Sequence, residues 1–600
     1  MRSPHTLQKT IGTFAVITGL ALFTASLGLN SFSLREKSLQ THLNNDYHYE
    51  MVAPFAISML DKTYSNSLTF NRDLHQVLKQ GQEAIRQDLE QNKGLGPSDE
   101  AYWSMVMQDY VVRSVKLPIT REAAQGFLSD HAGMTGGLAL ILVLLGSFLL
   151  YFPIWKQLPG IDNTGVFSSP LKSRGWSGIL LGSYLILFYL ILYFYPQHLV
   201  NWMIIVDPIS YRLNNGPASQ WFLYGLLYTF VILVMGLRMI LKYRHNAYQI
   251  WRTASVMFFQ TCFAFILPQL LAWLNQPAPD LKNIWPLDYS FFFDYRLDEM
   301  LQSGTFGLFL LFWGIALTLI GVPVFTYFFG KRWYCSWVCG CGGLAETMGD
   351  PFRHLSDKSL RAWQVERWLI HLVLIFAVVM TIAVVYTYLP KQGSGLTRSV
   401  FFSISSAVLL FAMGFVWFLN KKIKAAIPRR ALLIGTFTGF AIIGIGTWGI
   451  MAEKEYLFWV QDYQLRSWYG FYVGSVFAGL VGTGFYPLMG NRVWCRFGCP
   501  LAAYLGLVQR ISSKFRITVN GSQCISCGNC STYCEMGIDV RSYAQKGQDI
   551  VRSSCVGCGI CAAVCPRGVL KLENGSHDVY QRTQQTRAIH ISETEVTLLN

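Results

Sequence analysis

Six hundred residues with 52% apolar side chains, 14% charged ones and a mean hydropathy of +0.32 exclude a string of soluble domains and indicate a membrane protein. The 15% aromatic content excludes disorder, and 14 cysteines are too dilute for a disulfide scaffold. A net charge of +15 raises nucleic acid as a partner until the positions of the charges are read.

A bilayer core takes about 20 apolar residues as a helix. Ten segments have that length, at roughly 11–29, 134–152, 176–196, 220–241, 253–274, 305–328, 367–389, 399–419, 431–452 and 469–489. Residues 1–29 form the first span. Arg2 and Lys9 precede its apolar run, which is long for a signal peptide, so an uncleaved anchor is expected. Residues 30–133 lack cysteine and read as a small helical domain, because Leu74, Val77, Leu78, Ile85 and Leu89 recur at helical spacing. Residues 134–489 supply nine further spans, with an even total that puts both termini on one side. The short loops on that side hold 16 Lys and Arg, among them Lys172, Arg174, Arg252 and Lys424; those opposite hold 7, among them Lys391 and Lys454. Both termini are therefore expected in the cytoplasm of a bacterial inner membrane, with 30–133 periplasmic. The basic surplus then meets lipid headgroups, and nucleic acid is not expected.

Thirteen cysteines fall on the cytoplasmic side, where thiols stay reduced and serve as metal ligands more than as bridges. Cys262, alone in the fifth span, reads as a small apolar residue. Two loops repeat each other after spans six and ten. Residues 330–340 read GKRWYCSWVCG and residues 490–500 read NRVWCRFGCP after Gly490, both fitting G-x-R-x-[YW]-C-x3-C. The first Cys-x3-Cys loop is 335–341, and the second lies within 490–510. Helical geometry would place Cys335 and Cys339, and likewise Cys495 and Cys499, one turn apart on one face. With Cys341 these five thiols are candidates for a further metal, a redox dithiol or buried structural thiols. His198 and His371 have no spacing that pairs them as haem ligands and read as hydrogen-bonded residues. No C-x-x-C-H occurs, so c-type haem is not expected.

Residues 511–600 carry the strongest signal: Cys524, Cys527, Cys530, Cys534, then Cys555, Cys558, Cys561, Cys565, Pro566, each run C-x2-C-x2-C-x3-C. Three thiolates in a tight loop can hold three corners of a cubane while the fourth reaches the other cluster. Cys524, Cys527, Cys530 and Cys565 are expected to hold one [4Fe–4S] cluster, and Cys555, Cys558, Cys561 and Cys534 the second. Zinc would favour separated C-x2-C pairs. Glu535 stands where a proline is expected after the first run. The expected fold is mainly α: a polytopic protein of about ten helices, a small periplasmic helical domain and a C-terminal two-cluster ferredoxin-like domain.

Over roughly residues 305–570 the chain resembles the membrane polyferredoxins of the NosR, NapH and CcoG type, through YCSWVCGCGGLAE, VWCRFGCPLAAYLG and the double cysteine run. The family pattern has C-x3-C-P in both loops; Pro500 satisfies it, whereas Gly340 followed by Cys341 replaces it in the first. NosR-like proteins carry a periplasmic FMN domain, but 30–133 is short for one and has no S/T-G-A-T attachment motif, so FMN is not expected. The resemblance implies an oxidoreductase component passing electrons between a cytoplasmic donor, two clusters and the quinone pool or a membrane or periplasmic respiratory partner, docked through 30–133. The alternative is an assembly or regulatory factor that reduces or maintains a metalloenzyme. A transporter has no support, since no pair of broken helices with intramembrane charges is evident.

Overall fold

The structure, a computed structural model, describes residues 6–43, 45–60, 62–97, 99–156, 175–389, 397–422, 428–452, 456–574, 588–591 and 596–599. The sequence readings at Arg2, Lys172, Arg174, Lys391, Lys424 and Lys454 lie outside these. Among the described residues nine helices are long and apolar enough to cross a membrane: Leu7–Gly28, Ala132–Lys156, Trp176–Phe194, Gln220–Lys242, Ala247–Trp273, Gly304–Phe329, Leu360–Tyr388, Arg398–Phe418 and Arg429–Met451. The tenth expected span begins as an α-helix at Asp462–Tyr469 and continues as a π-helix over Gly470–Val481 before two short turns to Met489. Its glycines, serine and tyrosines make it less apolar than the others. Small residues set the closest packing: a β-carbon on Gly12 would lie 2.9 Å from the Gly146 carbonyl oxygen, and one on Gly146 2.7 Å from that of Gly12.

The N-terminal domain is built on the Ser67–Gln91 helix, capped by Asn66, whose Oδ1 accepts from the Thr69 amide at 2.9 Å. Phe70, Leu74, Leu78, Ile85 and Leu89 of this helix are fully buried. The strands Ser31–Ser33, Thr63–Tyr64 and Ala124–Gln125 form a small antiparallel sheet with the first in the middle, which the helical reading did not include. Arg121 pairs with Asp207, and Ser67 meets His198 Nδ1 at 3.3 Å, so His198 joins this domain to the residues after the third span. His371 Nδ1 meets the Arg367 carbonyl within its own helix at 2.6 Å.

The C-terminal region pairs strand Arg516–Val519 antiparallel with Leu570–Glu573, from Arg516 opposite Glu573 to Val519 opposite Leu570. The two cysteine runs lie between these strands. Their buried side chains merge with those around Cys335, Cys339, Cys495 and Cys499 into one continuous core, so the domain is seated on the helix ends.

Candidate metal centres

The cysteine runs are shaped by glycine. Gly528 (φ +81°) and Gly559 (φ +74°) stand immediately before the short helices Asn529–Thr532 and Ile560–Ala563, in the left-handed conformation that glycine adopts without strain. Each follows the second cysteine of its run and turns the chain so that the third cysteine faces back. Cys524, Cys527 and Cys530, with Cys565 from the other run, line one space of about 360 Å³. Cys534 lines the second, of about 370 Å³, with Cys555, Cys558 and Cys561. Each run thus contributes its fourth thiol to the opposite space.

The donor chemistry can be tested against the groups it would hold. Burial pushes the Cys530 and Cys555 thiols up to about 11, so ionising them requires a bound cation. Among the described residues no three His, Cys, Asp or Glu side chains converge on one point as a single metal ion would require. Four thiols around a space suit a polynuclear iron–sulfur cluster better than zinc, whose ligands meet at about 2.3 Å from one atom.

Glu535, the departure from the expected proline, is fully buried. Arg353 Nη1 meets its carboxylate at 2.5 Å and Arg492 Nη2 at 3.0 Å, while Asn491 Nδ2 donates to it at 3.2 Å. Burial alone would raise its pKa, but Arg492 and Arg353 hold it down at about 2. Beside it Glu346 pairs with Arg252 and Arg492, and Asp350 with Arg353 (2.9 Å) and Lys242 (2.7 Å). This buried network joins the ferredoxin-like region to the loops. It also corrects the reading of Arg252 as a loop cation: the residue lies inside the Ala247–Phe258 helix, 1% exposed.

The loops are re-entrant. Gly330 (φ +68°) and Gly490 (φ +92°), the first residues of the repeat, end their helices with positive φ and turn the chain back. The cysteines of each loop flank a break and do not share one helix face. Cys335 ends a short helix and Cys339 precedes Gly340–Thr347; Cys495 lies in a π-turn and Cys499 precedes Pro500–Ser512. Gly340 and Pro500 open the helices and both preceding cysteines are extended; Pro500 imposes this on Cys499, whose sulfur becomes the cap. Cys499 Sγ accepts from the Ala502 amide at 3.4 Å, whereas Cys339 Sγ makes no cap hydrogen bond to its helix. Four buried thiols and the partly buried Cys341 form one group in which sulfurs of the two loops lie within electrostatic reach.

Their depth follows from their neighbours. A β-carbon on Gly340 would lie 2.6 Å from Gln260 Oε1 and 3.5 Å from the Tyr228 ring. Gln260 is thirteen residues from either end of Ala247–Trp273, roughly 20 Å along the helix. The Cys339–Cys341 segment therefore reaches about the middle of the helices. π-Segments border both loops: Phe259–Ile266 carries Gln260 against the first, while Leu317–Gly321 offers the Thr318 carbonyl to Tyr504 at 3.1 Å and Gly470–Val481 packs Phe477 on Gly498 at the second. Such segments are frequent at functional sites. Among the described residues the buried hydroxyls of Tyr334 and Tyr469, within electrostatic reach of the thiols, have no acceptor, and neither has Trp494 Nε1 in the same core. Lys331 is 1% exposed with no carboxylate at ion-pair distance among the described residues; its ammonium donates to the Ala502 and Ser553 carbonyls. Orphaned donors and an uncompensated buried cation fit an anionic group bearing acceptor sulfurs.

Sequence reasoning missed Lys331, Glu346, Arg353 and Arg492. The shared G-x-R position pointed to Arg492, and Arg252 was visible as a charge near an apolar span. Nothing in the sequence singled out Lys282, whose ammonium lies within electrostatic reach of Cys339 and Cys341.

The family pattern of a 4Fe-4S dicluster domain matches residues 523–570, and that of a 4Fe-4S binding domain matches both 309–359 and 471–518. The second pattern contains the two re-entrant loops. Over 216 residues the chain is 26% identical to "Putative electron transport protein YccM" of Escherichia coli (strain K12), covering 36% of this chain. The match spans 44% of that relative's length, less than half. No solved structure matches significantly.

Proposed function

We propose that the chain is a membrane electron carrier of the NosR, NapH and CcoG kind, lying in a bacterial inner membrane with both termini cytoplasmic. It passes electrons between a cytoplasmic donor and a quinone or membrane redox partner. Cys524, Cys527, Cys530 and Cys565 hold one [4Fe–4S] cluster, and Cys534, Cys555, Cys558 and Cys561 a second. Cys335, Cys339, Cys495 and Cys499 hold a third, with Cys341 beside it. Such clusters supply one-electron redox chemistry through thiolate-bound iron.

The protein's own residues do the rest. The shared core excludes water between the ferredoxin-like domain and the loops. Ser336 Oγ donates to the Val556 carbonyl at 2.8 Å and Gln249 Nε2 to that of Cys558 at 2.9 Å, holding the second cysteine quartet against the loops. Arg492 reaches Cys495 Sγ at 3.5 Å and also pairs with Glu535, placing positive charge between the two sites. Reducing a quinone to a quinol takes two electrons and two protons, so a carrier of this kind delivers electrons in two single steps.

The observation that carries the reading is the exchange of Cys534 and Cys565 between the two runs, which supports a two-cluster arrangement. In anaerobically purified protein Cys527→Ser and Cys558→Ser should each remove a different cluster signal by EPR. Bound zinc with no iron would overturn the assignment. The second reading, service to a partner metalloenzyme, is favoured by the N-terminal domain, which offers exposed Trp103 and Tyr110 for docking. Iron or copper reduction only in the presence of such a client would support it.

A further inference from the structure

We propose that the space beside Gly340 and Cys341 receives the head group of a quinone-class lipid. The inference rests on the electron-transfer reading and adds where its lipid-soluble partner meets the chain.

Depth is the first argument, because Gly340 lies near the middle of the helices, where a carrier dissolved in hydrocarbon can reach it without leaving the membrane. The second is what surrounds that point. Residues 274–293 link Ala247–Trp273 to Gly304–Phe329 at the end away from the ferredoxin-like domain, yet they fold inward. Ile284 joins the core around the loop thiols, and Trp285 Nε1 donates to Thr381 Oγ1 at 2.9 Å, within the Leu360–Tyr388 helix. This brings Lys282 to the thiols from the opposite side. A β-carbon on Gly340 would lie 3.7 Å from Lys282 Nζ, so the lysine, Gln260 and Tyr228 meet at one glycine.

Such groups are costly in hydrocarbon unless they serve a partner. Lys282 is 8% exposed and gives two of its three N–H bonds to Asp280 Oδ2 (2.7 Å) and Asn283 Oδ1 (3.4 Å). The Tyr228 hydroxyl makes no hydrogen bond among the described residues, and Gln260 Nε2 donates one of its two N–H groups to Thr229 Oγ1 at 3.2 Å. A lysine and a tyrosine donor therefore remain for two carbonyl acceptors, the pattern that a quinone ring carries. Tyr224, Tyr228 and Cys341 are each only partly buried, so a ligand dissolved in the hydrocarbon can reach them. The wall there is aromatic: Tyr228 packs on Tyr224 with ring centres 5.4 Å apart, and Tyr224 on Tyr189 at 6.0 Å. A mostly apolar wall with a few directed polar groups is the usual build of a small-molecule site. The ferredoxin-like domain approaches the loops through Lys331, Ser336 and Arg492, so a ligand beside Lys282 does not compete with it.

The test uses the full chain, loaded with iron and sulfide, in liposomes. Its centres are chemically reduced, then mixed with decylubiquinone or, separately, with ferricyanide. Wild type should be reoxidised by the quinone with saturation. Lys282→Met and Tyr228→Phe should each raise the half-saturating quinone concentration at least about tenfold, with Lys282→Arg closer to wild type. Iron content should be unchanged in all three, and each variant's quinone response is read relative to its own ferricyanide rate, which corrects for any change in the centres themselves. Variants that respond to quinone as wild type does would overturn the site while leaving the carrier reading intact. A wild-type protein oxidised by ferricyanide but by no quinone would instead overturn the quinone reading itself, and the site with it.

Discussion

Glu535→Ala tests how the ferredoxin-like domain is held. Its carboxylate is fully buried and meets Arg353 at 2.5 Å, Arg492 at 3.0 Å and Asn491 at 3.2 Å. Arg353 and Arg492 are themselves fully buried, so truncation leaves two guanidinium groups short of a counter-charge in a water-excluded interface. Removing one partner of a buried pair costs about 3–5 kcal/mol. At 1.4 kcal/mol per decade this weakens docking by about 10²- to 4 × 10³-fold. Arg353 keeps Asp350 and Arg492 keeps Glu346, which places the expected effect at the lower end. The assay is protease release of the 511–574 segment in detergent across a urea series, with Glu535→Gln as the uncharged comparison. The alanine variant should release at clearly lower urea and the glutamine variant between it and wild type. Release of all three at the same urea would refute the claim that this carboxylate joins domain and loops.

Lys331→Met removes a cation within electrostatic reach of Cys335, Cys495 and Cys555; the midpoint potentials of the centres nearest it should become more negative in an EPR titration, with Lys331→Arg close to wild type. Lys79 Nζ at 2.7 Å and Gln82 at 3.0 Å hold Asp109 at about 2, below its ordinary 3.8, so its contribution to the N-terminal domain is present above pH 4 and lost as pH falls toward 2. Because the pair is exposed, Asp109→Asn should cost less than about 1 kcal/mol at pH 7 and nothing at pH 2, read as the thermal midpoint of the full chain. Reporter fusions at Lys391 and Lys422 should report periplasm and cytoplasm respectively; the same side for both would refute the topology.

The parts of the site set by covalent chemistry were legible in the sequence. Ligand spacing in C-x2-C-x2-C-x3-C is local, and the glycines after Cys527 and Cys558 mark the turns it needs. The depth of the loops was not legible, because it depends on Gly340 and Gly343 fitting against Gln260 and Val256 of a distant helix. A hydropathy window sees a polar loop there, since small residues interrupt the apolar run. The repeat also hid an asymmetry. Arg492 is buried between Glu346 and Glu535, whereas Arg332 at the matching position is half-buried, stacks on Phe515 at 4.5 Å and reaches Asn574 at 2.9 Å. Among the described residues Arg492 pairs with carboxylates and Arg332 does not, and that is decided by what packs on each side. Glu535 read only as a departure from the proline expected there, because its partners lie 182 and 43 residues away in the chain. The strands of the N-terminal domain, two or three residues long, are too short to show alternation.

The central claim is that the re-entrant loops hold a centre of their own above the ferredoxin-like pair, and iron and acid-labile sulfide per chain test it most directly. Anaerobically purified full-length protein should contain about twelve of each, falling to about eight when Cys335, Cys339, Cys495 and Cys499 are all replaced by serine. About eight in both proteins would contradict it and leave those thiols a structural or dithiol role.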